Sequence, residues 1–294
     1  MHPTGTQTAA YQTADRTLPA ETFQPLIKIR PTRAWRAVNF KEIWQHRELF
    51  YFLIWRELKA RYKQTILGVS WVVLQPLLMT AVFTIFLGKL VRVPTGSVPY
   101  PLFVFSGLLP WSFFSNAVSS GSYSVVASSS MITKVYLPRL IIPAAAVAVR
   151  LCDFLVASLV LMILLPYYGV SFGWRLFTVP LVVATLSLLA LAVSTLFSAL
   201  NVKYRDTATA LPVLLQLWMF CSPIVYPALL VPGRWRWFYD LNPLVGIVQG
   251  FRAALFGHAF NKGSLTIAVI VTTILLIFSL LVFRRAEDDF ADIV

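Results

Sequence analysis

Arg150 and Asp153 stand three residues apart inside 140–165, a stretch that is otherwise free of charge. Charges at the middle of a membrane helix cost about 2.5–3.5 kcal/mol each on insertion scales. Spacing of i, i+3 puts both on one helical face, where they pair; the alternative is that Arg150 meets a lipid phosphate. Other chemistry is poorly supplied. Of 12 acids, five precede residue 60 and four fall between Glu287 and Asp292, leaving Asp153, Asp206 and Asp240 on separate elements. A membrane enzyme such as a glycosyltransferase needs clustered carboxylates or a metal at the membrane face. His2, His46 and His258 form no cluster, and Cys152 and Cys221 read as free core thiols. The sole Gly-Lys pair, Gly88-Lys89, is followed by Leu90, so no phosphate-cradling G-x-x-x-x-G-K-[ST] loop exists. No catalytic, cofactor-binding or metal residue is predicted.

These residues are held by long apolar segments. With 58% hydrophobic and 13% charged residues, the chain carries about half the charge of a soluble domain. The expected fold is an all-α integral membrane protein with six transmembrane helices: 66–88, 98–126, 140–165, 176–200, 208–226 and 264–283. The first run is 23 residues long, enough to cross about 30 Å of hydrocarbon. Pro76 inside it is tolerated in lipid. The expected domains are a polar flexible tail at 1–40, an interfacial helix at 41–64, a transmembrane domain at 65–285 and an acidic tail at 286–294.

Of 25 Lys and Arg, 17 fall before residue 65, at 127–139, at 201–207 or at 284–285, which six spans place on one side. The positive-inside rule makes that side cytoplasmic and puts both termini there. A net charge of +13 then faces an anionic leaflet rather than nucleic acid.

RELKARYKQTILGVSWVVLQPLLMT (56–80) joins a cationic segment directly to the first span. At 100° per residue, Tyr51, Trp55, Leu58 and Tyr62 share an arc, with Arg56, Glu57, Arg61 and Lys63 on the remaining face. That pattern predicts a helix lying in the cytoplasmic interface and turning up near Gly68. A topology anchor and a docking surface are equally compatible with it.

RYKQTILG followed by W…QP, together with LNPLVGIVQGFRAALFG (241–257), resembles the membrane subunit of ABC-2-type polysaccharide exporters, the O-antigen type above all. The resemblance covers about 45–290. It implies a homodimer clasped by two copies of a separate ATP-binding subunit, which binds ATP and Mg. The cargo would be a lipid-linked polysaccharide crossing the bacterial inner membrane to the periplasm. It also implies that Arg56, Lys59, Arg61 and Lys63 lie beside the ATPase. Within 128–139, Thr133, Lys134, Tyr136 and Arg139 would receive its stroke; Lys203, Arg205 and Asp206 of the second cytoplasmic loop would touch either the partner or the lipid head groups.

Sugar rings present C–H faces that aromatic rings hold without fixing register. Trp71, Trp111, Phe113, Phe114, Tyr123, Trp218, Phe220 and Tyr226 are the channel-lining candidates, against belt or packing roles. The Ser-rich 115–130 reads as a helix facing the dimer axis or as a packing surface. The external segment at about 232–258 combines a cationic aromatic patch, 232–240, with a broken apolar stretch that reads as re-entrant. Its Asn242, Pro243 and Arg252 are the candidates for an external gate. Competing readings are an ABC-2 permease for capsule, teichoic acid or small amphiphiles, a membrane glycosyltransferase, and an ion-coupled transporter. The last would show carboxylates in matching halves, and only Asp153 is found.

Overall fold

A computed structural model describes residues 44–63, 68–96, 98–132, 137–171, 173–204 and 206–293. Their regular structure is helical: α1 (Arg47–Lys63), α2 (Ser70–Phe83), α3 (Tyr100–Ala127), the short α4 (Ser129–Ile132), α5 (Ile141–Tyr167), α6 (Val179–Lys203), α7 (Thr207–Phe220), α8 (Gly233–Asp240), α9 (Pro243–Phe256) and α10 (Lys262–Ile293). Among the described residues, five stretches are long and apolar enough to cross a membrane: Ser70–Leu90, Tyr100–Ala127, Ile141–Tyr167, Trp174–Lys203 and Lys262–Glu287.

The segment expected as a span at 208–226 is shorter. Its helix stops at Phe220 after 14 residues, about 21 Å at 1.5 Å per residue. Turns bearing Pro223 and Pro227 follow; neither proline has an N–H with which to continue the ladder. At the other end of the chain α10 runs helically through Glu287 to Ile293, so the acidic stretch prolongs the last span.

The bundle is built around α3, packed most extensively by α6 and α5, with α2, α9 and α7 on its remaining sides. Leu102, Phe105, Leu109, Phe114 and Val118 of α3 are fully shielded. Its Ser-rich half faces helices of its own chain: the Asn201 amide donates to Ser122 O at 3.3 Å and Ser194 Oγ donates to Ala117 O at 3.2 Å. Gly121 admits that approach, since a Cβ there would lie 2.6 Å from Ser194. The packing alternative therefore describes this side of α3.

Pro76 leaves α2 continuous, and Thr80 Oγ1 donates back to Pro76 O at 2.7 Å. The helix then widens into a π-helical stretch, Thr84–Leu90. There Gly88 lets the Tyr100 ring lie against the backbone; a Cβ would stand 2.7 Å from the ring.

The α1 helix forms over the predicted segment, and one of its faces packs on the bundle. Leu49, Phe50, Leu53 and Ile54 rest on Ile141 and Ala145 at the start of α5. Tyr51 and Trp55 of the predicted arc are more than half exposed.

Candidate functional site

Asp153, on the middle of α5, is the centre of a charged cluster at the α1 end of the bundle. Its Oδ2 accepts from Arg61 Nη1 at 3.0 Å and from Arg150 Nη1 at 3.4 Å. Its Oδ1 accepts from the Tyr62 hydroxyl. Arg150 Nε donates to Ser120 Oγ of α3 at 2.9 Å. Burial first, then the bond to Asp153, pushes the Tyr62 phenol well above its usual pKa, so it stays a neutral donor. The side chains of Arg61, Arg150 and Asp153 are 24%, 23% and 13% exposed, so the cluster is partly desolvated.

The Arg150–Asp153 pair is the one that the spacing predicts. Local spacing does not place Arg61 and Tyr62 there, because their partner lies 92 and 91 residues away. Arg61 turns toward α5; Lys59 and Lys63 are exposed, and Arg56, also exposed, reaches Met131 Sδ at 3.7 Å and borders the larger cavity described below. Thr133, Lys134, Tyr136 and Arg205 lie outside the described residues. Arg139 donates to the Glu287 carbonyl, tying the start of α5 to α10. Lys203 stacks on Tyr204, its ammonium 5.7 Å from the ring centre.

Two cavities flank the cluster, and Arg61 and Arg150 line both. One, about 220 Å³, is bounded by Trp71, Gln75, Ser112 and Asn116. The other, about 430 Å³, is bounded by Arg56, Glu57, Ser119 and Tyr123.

At the opposite end, Arg252 of α9 is buried and ties irregular backbone to helices. It donates to Pro223 O and Ile224 O, both at 2.6 Å, to Phe103 O at 3.0 Å and to Ser106 Oγ at 3.3 Å. Its guanidinium sits 3.7 Å from the centre of the Phe103 ring. Gly107 leaves room for this; a Cβ would come within 2.4 Å of both Arg252 and Ile224 O. Asn242 caps α9: its Oδ1 accepts from Leu244 N at 3.1 Å and from Trp218 Nε1 at 2.9 Å, and its amide reaches Ser222 Oγ at 2.9 Å. Pro243, at the first turn of α9, is buried. These gate candidates thus form a fastening inside the chain, with side chains turned inward. Asn242→Ala removes the cap and the side chain's bonds to Trp218, Ser222 and the Cys221 carbonyl. It is expected to cost about 1–2 kcal/mol, read as a lower unfolding temperature in detergent.

The aromatic candidates divide by burial. Trp111, Phe113 and Phe114 are core residues, at 7%, 3% and 0% exposure. Phe113 meets Phe154 at 5.5 Å and Phe114 meets Trp218 edge-on at 5.2 Å. Trp71, Tyr123 and Phe220 are exposed. Tyr226 donates to Phe220 O and accepts from the Tyr239 hydroxyl. Residue types alone carry no signal separating the two groups.

A helical bundle with five membrane-length helices and a charged cluster between them is a multi-pass membrane protein. The model of the ABC-2 type transporter family matches residues 48–256. The chain belongs to that family and has a transport role. It is 29% identical over 256 residues to the O-antigen export system permease protein RfbA of Myxococcus xanthus, covering 86% of this chain and 97% of that one. It is 28% identical over 240 residues to the RfbA permease of Klebsiella pneumoniae, covering 81% and 92%. The polysialic acid transport protein KpsM of Escherichia coli is 24% identical over 239 residues, covering 80% and 92%.

Proposed function

We propose that this chain is the membrane subunit of an ATP-driven exporter that moves a lipid-linked polysaccharide of O-antigen type from the cytoplasmic to the periplasmic side of the bacterial inner membrane. The observation that carries this reading is the likeness to O-antigen export permeases, which runs over 97% of the length of the Myxococcus relative. Two copies of this chain would enclose the path, and two copies of an ABC subunit would bind ATP and Mg. In this arrangement both termini are cytoplasmic, α7 with the turns after it completes a sixth crossing, and α8 with α9 forms a re-entrant cap outside. The exposed Arg56, Lys59 and Lys63 and the stretch 128–139 are the docking surfaces for the ATPase. The likeness to KpsM makes a capsule polymer the second reading of the cargo.

Deleting the chain in its host is expected to remove surface polymer while lipid-linked polymer accumulates inside. A hydrolysis-dead ATPase in the wild-type background should do the same. Export that continues with the dead ATPase would overturn the mechanism. Charge reversal of Arg56, Lys59 and Lys63 together to Glu is expected to lower recovery of the ATPase with this chain at least tenfold. Unchanged recovery would remove α1 from the docking surface.

A further inference from the structure

The Ser-rich half of α3 has two sides. One packs on α6, as described above; the other carries Ser112, Asn116, Ser119 and Ser120, which recur at helical spacing along the two cavities. Across from this polar wall stand α1 and α5 with their arginines. The charge there is unbalanced. Arg56, Arg61 and Arg150 line the cavities, against Glu57 and Asp153. Glu57 lies 3.9 Å from Arg61 and its side chain is 52% exposed, so it is a weak partner. Arg61 and Arg150 share one oxygen of Asp153. Two guanidinium forks, each able to hold an anion with paired N–H donors, are thus served by a single carboxylate oxygen. A partly desolvated cluster with one surplus positive charge attracts an anion strongly. The apolar flank of the smaller cavity, with Trp71, Val72 and Phe154, suits a hydrocarbon chain leaving the charged wall.

We propose that this slot binds the phosphate of a membrane amphiphile, with Arg61 and Arg150 as its ligands and Asp153 as the resident anion that the phosphate displaces. The phosphate offers several oxygens where Asp153 offers one to both arginines, and the Tyr62 hydroxyl and Ser120 supply neutral donors beside it. No covalent step is involved; the exchange is one anion for another. The inference rests on the export reading only for the identity of the amphiphile, a polyprenyl phosphate or diphosphate at the head of the cargo. The binding site itself stands apart from that reading.

The test uses the full chain in phosphatidylcholine nanodiscs, with radiolabelled undecaprenyl phosphate as probe, undecaprenol as its phosphate-free control and phosphatidylglycerol as competitor. The phosphate form is expected to bind at least tenfold tighter than the alcohol. Arg61→Gln should weaken it about tenfold, and Asp153→Asn, which removes the competing anion, should tighten it severalfold. Size-exclusion profiles report whether each variant folds. If Arg61→Gln does not fold, Ser112→Phe decides: it fills the smaller cavity with every charge in place and should lower binding at least tenfold. Equal affinity for alcohol and phosphate would overturn the site, as would binding indifferent to Ser112→Phe. Weakening by Asp153→Asn, equal to that by Arg61→Gln, would reduce the cluster to a structural latch and also overturn it. Equal potency of phosphatidylglycerol would keep the phosphate site and remove its assignment to cargo. Loss of binding with export intact would sink the site alone; intact binding in a chain whose deletion leaves export unchanged would sink the export reading alone.

Discussion

Arg252→Met is expected to unfold the end of the bundle away from α1. The guanidinium serves three backbone carbonyls and one hydroxyl at once. Methionine fills much of the space and satisfies none of them. Pro223 O and Ile224 O lose their donor, at about 1–3 kcal/mol each, while Phe103 O keeps the bond from the Ser106 hydroxyl; the cation–ring contact with Phe103 is lost as well. The sum reaches the lower part of the stability of a typical domain, about 5–15 kcal/mol. The expected outcome is little monodisperse protein after extraction. Arg252→Lys keeps the charge but has one nitrogen for acceptors on two separate elements, so it should recover only part of the yield. A residue acting solely as an external gate would behave otherwise: its removal would alter transport and leave the yield unchanged.

Gly246→Leu is expected to separate α9 from α10. A Cβ at this position would lie 2.2 Å from Ser264 O and 2.8 Å from the Ala268 Cβ. The first obstacle is backbone, which no rotamer change moves aside. Even Gly246→Ala forces the two helices apart, at about 1–3 kcal/mol, and the leucine costs more. Gly250, one turn on, gives the control: its Cβ would meet the Leu265 Cδ1 at 3.2 Å, the far end of a flexible side chain. Gly250→Ala should therefore melt close to wild type while Gly246→Ala melts well below it. Equal melting of the two would refute the close approach as the cause.

What could be read beforehand follows the range of the interactions. The long spans were legible because an uncharged run of membrane length needs no knowledge of its neighbours. The Arg150–Asp153 pair was legible because three residues of helix fix the geometry. The helical wheel of α1 puts Arg61 on an outward face because it contains no information about α5. Arg252 was harder still, since its partners are mainly backbone carbonyls and any residue type supplies a carbonyl. The aromatics illustrate the same limit: Phe113 and Tyr123 are both aromatic residues of α3, yet one is 3% and the other 56% exposed. The end of α7 was partly legible through Pro223, but its fastening to Asn242 spans some twenty residues and was not.

The two ends of α3 are secured by different materials. Near Phe103 the bonds run from a guanidinium to main-chain oxygens, which neither salt nor a competing anion replaces. Near Ser120 they run between ionised side chains beside open cavities, and there added anions and ionic strength compete directly. A force applied to α1 would meet its least resistance at the second end, with the first acting as the fulcrum. Solvent composition would therefore tune the swing of α1 without loosening the anchorage opposite.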